Sequence, residues 1–133
     1  MTRLLPIRGE EPPADTVVII RAGVMSLDTL RRTASDSFDD FGAYLVSVEA
    51  VLGGCSIADT CRTSPRIGQR YGRVRLSSAG RLRSAGLPLL ATFASPHFDV
   101  VLPDLSDTTL QRLTTCFDEP IDNPGREQAG VTS

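Results

Sequence analysis

The sequence predicts a single α+β domain that combines a mixed sheet of about five strands with three to four helices. Stretches in which apolar residues recur at every second position alternate with stretches in which they recur every three or four. The last two predicted strands, residues 89–93 and 98–102, are separated by four residues, which favours a hairpin over a parallel crossover. A chain of 133 residues is long enough to bury one core without a metal or a disulfide.

The first half of the domain opens with residues 16–20, a β-branched run typical of a strand buried on both faces. A helix is expected to begin after Ser26, a favourable N-cap, and to end at Gly42. Residues 43–52 alternate and predict a second strand. The helix stripe comprises Leu27, Leu30, Ala34, Phe38 and Phe41. The two strand faces carry Tyr44, Val46, Val48 and Ala50 on one side and Ser47 and Glu49 on the other.

The second half continues with a short helix after Ser56 and an alternating strand over residues 71–77. A short helix over residues 78–85 should stop at Gly86. The two hairpin strands follow, and Ser106 is expected to cap the last helix.

Both ends of the chain are rich in Pro, Gly and charge and poor in large apolar residues. Residues 1–15 and 119–133 are therefore predicted to be flexible tails around a domain of residues 16–118, and their removal should leave the thermal midpoint nearly unchanged. The sequence contains no run of about 18 apolar residues, so it predicts no membrane span. The N-terminal residues lack the apolar stretch of a secretory signal, so we expect a cytoplasmic protein.

Cysteine and histidine usage argues against a metal centre. Three cysteines lie at spacings of six and fifty-five residues, and the chain has one histidine, whereas a structural zinc needs about four ligands at short paired spacings. The odd count favours reduced thiols. The sequence also lacks a phosphate-binding loop, a dinucleotide fingerprint and a nucleophile elbow, so we expect no cofactor and no metal.

The charge distribution is uneven. All fourteen basic residues are Arg, a bias that a GC-rich genome also produces. The 39 residues between Asp59 and Asp99 carry seven Arg and no acid, so this Arg-rich segment has a charge of +7 while the rest of the chain carries −9. A small acidic protein with one basic segment is expected to confine polyanion binding to one side.

The Arg-rich segment contains a candidate anion site. Tyr71, Arg73 and Arg75 are predicted to share one strand face, and a helix N-terminus after Ser78 would add backbone donors. Arg81 and Arg83 follow in the next turn. We expect this surface to bind RNA or a nucleotide. Two alternatives stay open: that these Arg residues pair with acids of the fold, or that the basic face docks on an acidic protein partner. The candidate acids are Asp36, Asp39, Asp40 and Asp107.

His97 is the candidate catalytic residue. It is the one side chain that titrates near neutral pH without perturbation, and it directly precedes a predicted strand. A metal-independent ribonuclease needs a base, an acid and a cation near the scissile phosphate. His97 together with Tyr71, Arg73 and Arg75 would supply that set, as in a toxin-type ribonuclease.

Two resemblances accompany these predictions. Arg21-Ala22-Gly23 after the first strand, with Ser47 on the next, resembles the opening of ADP-ribosyltransferases, which implies that Arg21 and Ser47 contact NAD. The catalytic Glu of that family has no match among residues 90–118. Three further segments are similar to small uncharacterised proteins of high-GC bacteria and imply no activity. These are residues 80–86, 96–104 and 116–118.

Overall fold

The computed structural model describes residues 2–20, 25–68 and 71–126, and these contain six strands and four helices. In chain order they are β1 (Val17–Ile20), α1 (Leu27–Phe41), β2 (Tyr44–Ala50), α2 (Ile57–Thr63), β3 (Arg73–Ser78), α3 (Ala79–Ser84), β4 (Leu89–Ala91), β5 (His97–Leu102), α4 (Asp107–Thr115) and β6 (Ile121–Asp122). The strands form one sheet in the order β4-β5-β2-β1-β3-β6. The predicted α+β class is confirmed.

The sheet differs from the predicted one in two details. Each neighbouring pair of its six strands is antiparallel, so the sheet is not mixed. The additional strand, β6, lies in residues that the sequence assigned to the C-terminal tail. No helix within the described ranges is both long enough and apolar enough to cross a bilayer.

The two faces of the sheet carry different layers. On the first face, apolar residues of the central strands pack against α1, α3 and α4 and form the main core. On the second face, Ile19 and Val74 pack against Cys61 of α2 and against Ile67 in the loop that follows it. Strand residues of the main core include Val18, Val46, Val48, Phe98 and Val100. Their alternate neighbours therefore face the second layer.

Helix α1 has the predicted ends. The Ser26 hydroxyl accepts a hydrogen bond from the Thr29 amide, and Gly42 closes the helix with a φ of 75°. Leu30 and Ala34 are buried as expected, but Phe38 stays 45% exposed. Its ring stacks on Tyr44 at a centroid distance of 4.7 Å instead of entering the core.

The described part of each predicted tail contacts the domain. Beside β4, the Arg8 amide donates to the Ala91 carbonyl at 2.9 Å and the Phe93 amide donates to the Pro6 carbonyl at 3.1 Å. At the other end, β6 pairs with β3, and buried Asn123 donates to the Gly68 and Tyr71 carbonyls. Backbone and amide hydrogen bonds hold these segments, so their low apolar content was a poor guide to whether they would dock.

Candidate functional site

A cluster of buried polar side chains lies on the second face of the sheet. Strand register places Glu49 of β2 opposite His97 of β5, and Ser47 opposite Asp99. Glu49, His97 and Asp99 are each at most 2% exposed, and Thr92, next to β4, is fully buried. Burying three ionisable groups costs free energy that a merely structural core avoids, so this polar cluster is the candidate functional site.

Hydrogen bonds fix the tautomer of His97. The Thr92 hydroxyl donates its one proton to Asp99 Oδ2 at 2.8 Å. Toward His97 Nδ1, at 3.0 Å, that hydroxyl therefore only accepts, and the Thr92 carbonyl is a second acceptor at 3.2 Å. Nδ1 carries the proton and Nε2 holds a lone pair. Nε2 has no hydrogen-bond partner among the described residues and lies 3.9 Å from Asp99 Oδ1.

Glu49 is held at one oxygen. Its Oε1 accepts a hydrogen bond from the Ser64 hydroxyl at 3.0 Å, while Oε2 has no partner in the described part of the chain. A cavity of about 10 Å³ is lined by Glu49, Ser47 and Arg66, among other residues. That volume is close to what a single water occupies.

Burial pushes both titratable groups toward their neutral forms. Desolvation raises the pKa of Glu49 above its usual value, although the Ser64 hydrogen bond and the Arg66 charge oppose this change. Desolvation lowers the pKa of His97, and the Arg66 charge acts in the same direction, whereas Asp99 opposes it. Relative to the same groups in water, the cluster therefore shifts Glu49 toward its protonated form and His97 toward its neutral form.

Two guanidinium groups and one aromatic ring enclose the cluster. Arg66 lies over the Phe93 ring at 5.7 Å, and that ring meets His97 edge to face at 5.4 Å. Arg8 Nη1 donates to the carbonyl groups of Thr92, Phe93 and His97 at 2.7, 3.0 and 3.0 Å. Phe93 has a φ of 55°, a left-handed conformation that costs free energy in a non-glycine residue. The N-terminal segment thus fixes the loop that presents His97.

The predicted grouping of His97 with Arg73 and Arg75 is absent. Strand β3 lies three positions from β5 in the sheet, about 14 Å at the usual strand spacing. Arg75 pairs in register with Ile20 of the main core, so it lies on the opposite face from His97. Arg73 is exposed, and its Nε lies 3.9 Å from Asp122 Oδ1. Tyr71 precedes β3 and is 36% exposed.

The donors of the predicted helix N-terminus are engaged within the protein. The Ser78 hydroxyl accepts from the Arg81 amide at 3.2 Å, and the Ala79 and Gly80 amides donate to the Thr16 and Ala14 carbonyls. These three backbone donors in the first turn of α3 are therefore used within the chain.

Several side chains of the Arg-rich segment make ion pairs or hydrogen bonds inside the fold. Arg81 Nη1 contacts Asp118 Oδ1 at 2.8 Å, and Arg83 Nη2 donates to the Pro12 carbonyl at 2.5 Å. Arg62 pairs with Asp59. The acids in these pairs differ from those proposed from sequence. Of the acids proposed from sequence, Asp40 pairs with Arg3 and Asp107 pairs with Arg31.

Ser47 and Arg21 were the residues assigned by resemblance to an NAD site. The Ser47 hydroxyl donates to Asp99 Oδ1 at 3.1 Å, so it belongs to the polar cluster. Arg21 lies outside the described residues.

Glu49 and Asp99 are the functional candidates that sequence reasoning missed. Each is an acid between two apolar residues of a strand, and the sequence analysis gave neither of them a functional role. The available signal was that the second face must be covered if β1 is buried on both faces.

Comparisons with known proteins add no assignment: no family model, curated protein or solved structure matches the chain. Within residues 2–20, 25–68 and 71–126, no group of three or more His, Cys, Asp or Glu side chains is arranged to hold a metal ion.

Proposed function

We propose that this protein is a ribonuclease that binds an RNA phosphodiester through Arg66 of the Arg-rich segment and cleaves it with Glu49 and His97. One observation carries the proposal: in two acid–base residues paired across the sheet, Glu49 Oε2 and His97 Nε2 have no hydrogen-bond partner among the described residues, and Arg66 lies nearby. Acid–base catalysis of this kind contributes about 10²–10⁴ in rate. If the protein acts in the cytoplasm, RNA cleavage would make it a toxin-type ribonuclease.

The proposed reaction uses the neutral pair. His97 Nε2 accepts the proton of a ribose 2′-hydroxyl, and the 2′-oxygen forms a bond to phosphorus. The bond from phosphorus to the 5′-oxygen breaks, and protonated Glu49 donates its proton to that leaving oxygen. The products are a 2′,3′-cyclic phosphate and a 5′-hydroxyl. The imidazolium and carboxylate that remain exchange a proton through water and return to the neutral pair.

The neighbours of the pair have supporting roles in this reaction. Thr92 holds Nδ1 protonated, so that Nε2 is the basic atom. Asp99, with Oδ1 3.9 Å from Nε2, stabilises the imidazolium as it forms. The Arg66 guanidinium stabilises the extra negative charge on the phosphoryl oxygens in the transition state.

Substrate access requires the side chains that cover the polar cluster to move. Glu49 and His97 are covered in the structure, and Arg66 and Phe93 form part of the cover. The contact between the Arg66 guanidinium and the Phe93 ring is a half-buried cation–π pair, of a kind worth about 0.5–2 kcal/mol. Arg66 also has a further interaction within the fold, which the substrate must displace as well. We propose that a phosphodiester opens the cover by taking the guanidinium group as its own partner.

A fluorescent RNA oligonucleotide tests the proposal. The wild type should cleave it, and Glu49→Gln and His97→Gln should each lower the rate by about 10²-fold or more. Arg66→Ala should weaken both RNA binding and cleavage. Its matched control is Arg62→Ala, which removes an exposed Arg of the same segment on α2 and should change the rate less than twofold. Thermal unfolding of each variant shows whether it is folded.

Three outcomes would overturn the proposal. One is that the wild type neither binds nor cleaves RNA at low salt, which would favour the alternative of an acidic protein partner. Another is that folded Glu49→Gln cleaves as fast as the wild type. The third is release of nicotinamide from NAD by the wild type without RNA cleavage, which would assign an ADP-ribosyltransferase instead.

A further inference from the structure

An open cleft lies between α3 and α4, on the helical side of the sheet. Its volume is about 730 Å³, and its lining includes Arg81 and Ser84 of α3, Arg112 of α4, and Cys116 at the end of α4. Clefts of roughly 300–1,000 Å³ are the size that small-molecule ligands occupy. Leu82, Leu110 and Leu113 of the same helices belong to the main core, whereas Glu49 and His97 face the other layer. The cleft is therefore separate from the polar cluster.

Two guanidinium groups, one from each helix, flank the cleft. Arg81 Nη1 pairs with Asp118 at 2.8 Å, and both side chains are substantially exposed, at 42% and 66%. Arg81 Nη2 and Arg112 Nη1 each make a long 3.4 Å hydrogen bond, to the Thr115 and Ala85 carbonyls. Exposed pairs contribute about 0–1 kcal/mol, so a doubly charged anion competes well for these groups. A planar guanidinium fork suits phosphate oxygens in particular.

The other lining residues suit an uncharged ring. Gly80, Ala85 and Cys116 contribute small or apolar surface to the lining of the cleft. Cys116 is 7% exposed, and its thiol lies 3.8 Å from the Arg81 carbonyl oxygen. Burial raises the pKa of this thiol, which keeps it uncharged at neutral pH. At Gly80 an added Cβ would lie 3.0 Å from the Ala14 carbonyl oxygen, so a larger side chain there would crowd the N-terminal segment. The cleft therefore combines an anion-binding rim with a compact, weakly polar wall.

We propose that this cleft binds a nucleoside monophosphate, with the phosphate between Arg81 and Arg112 and the base against Ala85 and Cys116. The proposal does not depend on RNA cleavage, because it uses other residues on the other side of the sheet.

Calorimetry with 5′-AMP, adenosine and inorganic phosphate tests this assignment. We expect 5′-AMP to bind, inorganic phosphate to bind at least tenfold more weakly, and adenosine to show no measurable binding. Arg112→Ala should raise the Kd for 5′-AMP by about tenfold or more, the loss of one charged hydrogen-bonding group. The matched control is Arg31→Ala on α1, where the side chain pairs with Asp28 and Asp107 outside the cleft. It should leave the Kd unchanged.

Thiol protection gives an independent measurement. In a Cys55→Ser background, where the exposed thiol is removed, saturating 5′-AMP should slow alkylation of Cys116 several-fold, while adenosine should not. Absence of 5′-AMP binding to the wild type would overturn the proposal. Equal affinity for inorganic phosphate would also overturn it and leave a bare anion site. An unchanged Kd in folded Arg112→Ala, or unchanged Cys116 alkylation, would place the nucleotide elsewhere.

Discussion

Glu49 and His97 are two buried ionisable residues, and one side-chain atom of each has no hydrogen-bond partner in the part of the chain that the structure describes. His97 was identifiable from sequence, because a single histidine before a strand end is conspicuous. Glu49 was not, because an alternating strand gives the same pattern whether its polar face meets solvent or a second layer. The difference is decided by Ser64 and Ile67, in the loop that covers the second face. Nothing local to β2 encodes that cover.

The raised pKa of Glu49 predicts a pH-dependent stability difference. The folded protein holds the Glu49 proton more tightly than the unfolded chain, which ionises near 4.5. The contribution of this residue is thus fully present below pH 4.5 and is lost as the pH rises through the folded pKa. Glu49→Gln should therefore gain stability relative to the wild type as the pH rises from 4.5 to 7.

Urea unfolding of both proteins at a series of pH values measures this difference. Glu119→Gln, which removes an exposed carboxyl group, is the control and should stay within about 0.5 kcal/mol of the wild type throughout. If the unfolding free energy of Glu49→Gln relative to the wild type stays constant or falls as the pH rises, a buried protonated Glu49 is contradicted.

The neutral pair also predicts a bell-shaped pH–rate profile for RNA cleavage. At low pH the rate should fall as His97 gains a proton, and at high pH it should fall as Glu49 loses one. Because burial lowers the pKa of His97 and raises that of Glu49, the neutral pair should be more populated at the pH optimum than it would be for unperturbed groups. A rate that rises monotonically with pH would exclude Glu49 as the acid.

At the scale of elements, the helices were the most predictable part. Ser26, Ser56, Ser78 and Ser106 each cap a helix through the side-chain hydroxyl, as their positions in the sequence indicate. The terminal segments were the least predictable. Their docking rests on hydrogen bonds to carbonyl groups of distant loops, and such acceptors carry no signal in the sequence.

Arg8 is the residue that ties the N-terminal segment to the His97 loop. Arg8→Ala leaves three carbonyl groups without this partner and should destabilise the protein by about 2–3 kcal/mol in urea unfolding. Arg3→Ala is the matched change in the same segment, where the pair with Asp40 is largely exposed, and it should cost at most about 0.5 kcal/mol. If Arg8→Ala and Arg3→Ala both cost equally little stability, the N-terminal segment is a dispensable tail, as the sequence predicted.

Gly125 makes the corresponding contact at the other end. A Cβ there would lie 2.6 Å from the Arg62 amide nitrogen and 2.8 Å from Cys61 Cβ, so backbone must shift. Gly125→Ala should lower the unfolding free energy by about 1–3 kcal/mol. Gly86→Ala is the comparison. Gly86 has a φ of 74° and no neighbouring atom within 4 Å of an added Cβ, so only backbone strain should lower the stability of that variant. A wild-type thermal midpoint for Gly125→Ala would show that residues near 125 do not pack on α2.

At the scale of the whole molecule, the sheet separates two candidate sites. The fold class followed from periodicity, but the strand order β4-β5-β2-β1-β3-β6 did not, and it is this order that moves Arg73 and Arg75 away from His97. The same order brings Glu49 to His97 from positions 48 residues apart in the sequence. Pairing between distant strands depends on the packing of both layers, which no single segment specifies.

This separation predicts functional independence. Arg112→Ala should weaken 5′-AMP binding without changing the rate of RNA cleavage, and Glu49→Gln should do the reverse. Parallel calorimetry and cleavage assays on the two variants check this. A loss of both activities in either folded variant would show that the two faces are coupled.

The most direct measurement of the central claim uses a DNA oligonucleotide that contains a single ribonucleotide. Attack by a 2′-hydroxyl assisted by Glu49 and His97 requires cleavage only at that nucleotide, and mass spectrometry should find a 2′,3′-cyclic phosphate on one product and a 5′-hydroxyl on the other. The all-DNA oligonucleotide should remain intact, and folded Glu49→Gln should leave the chimera uncut. Cleavage of the all-DNA strand, a 5′-phosphate product, or an intact chimera with the wild type would contradict the account.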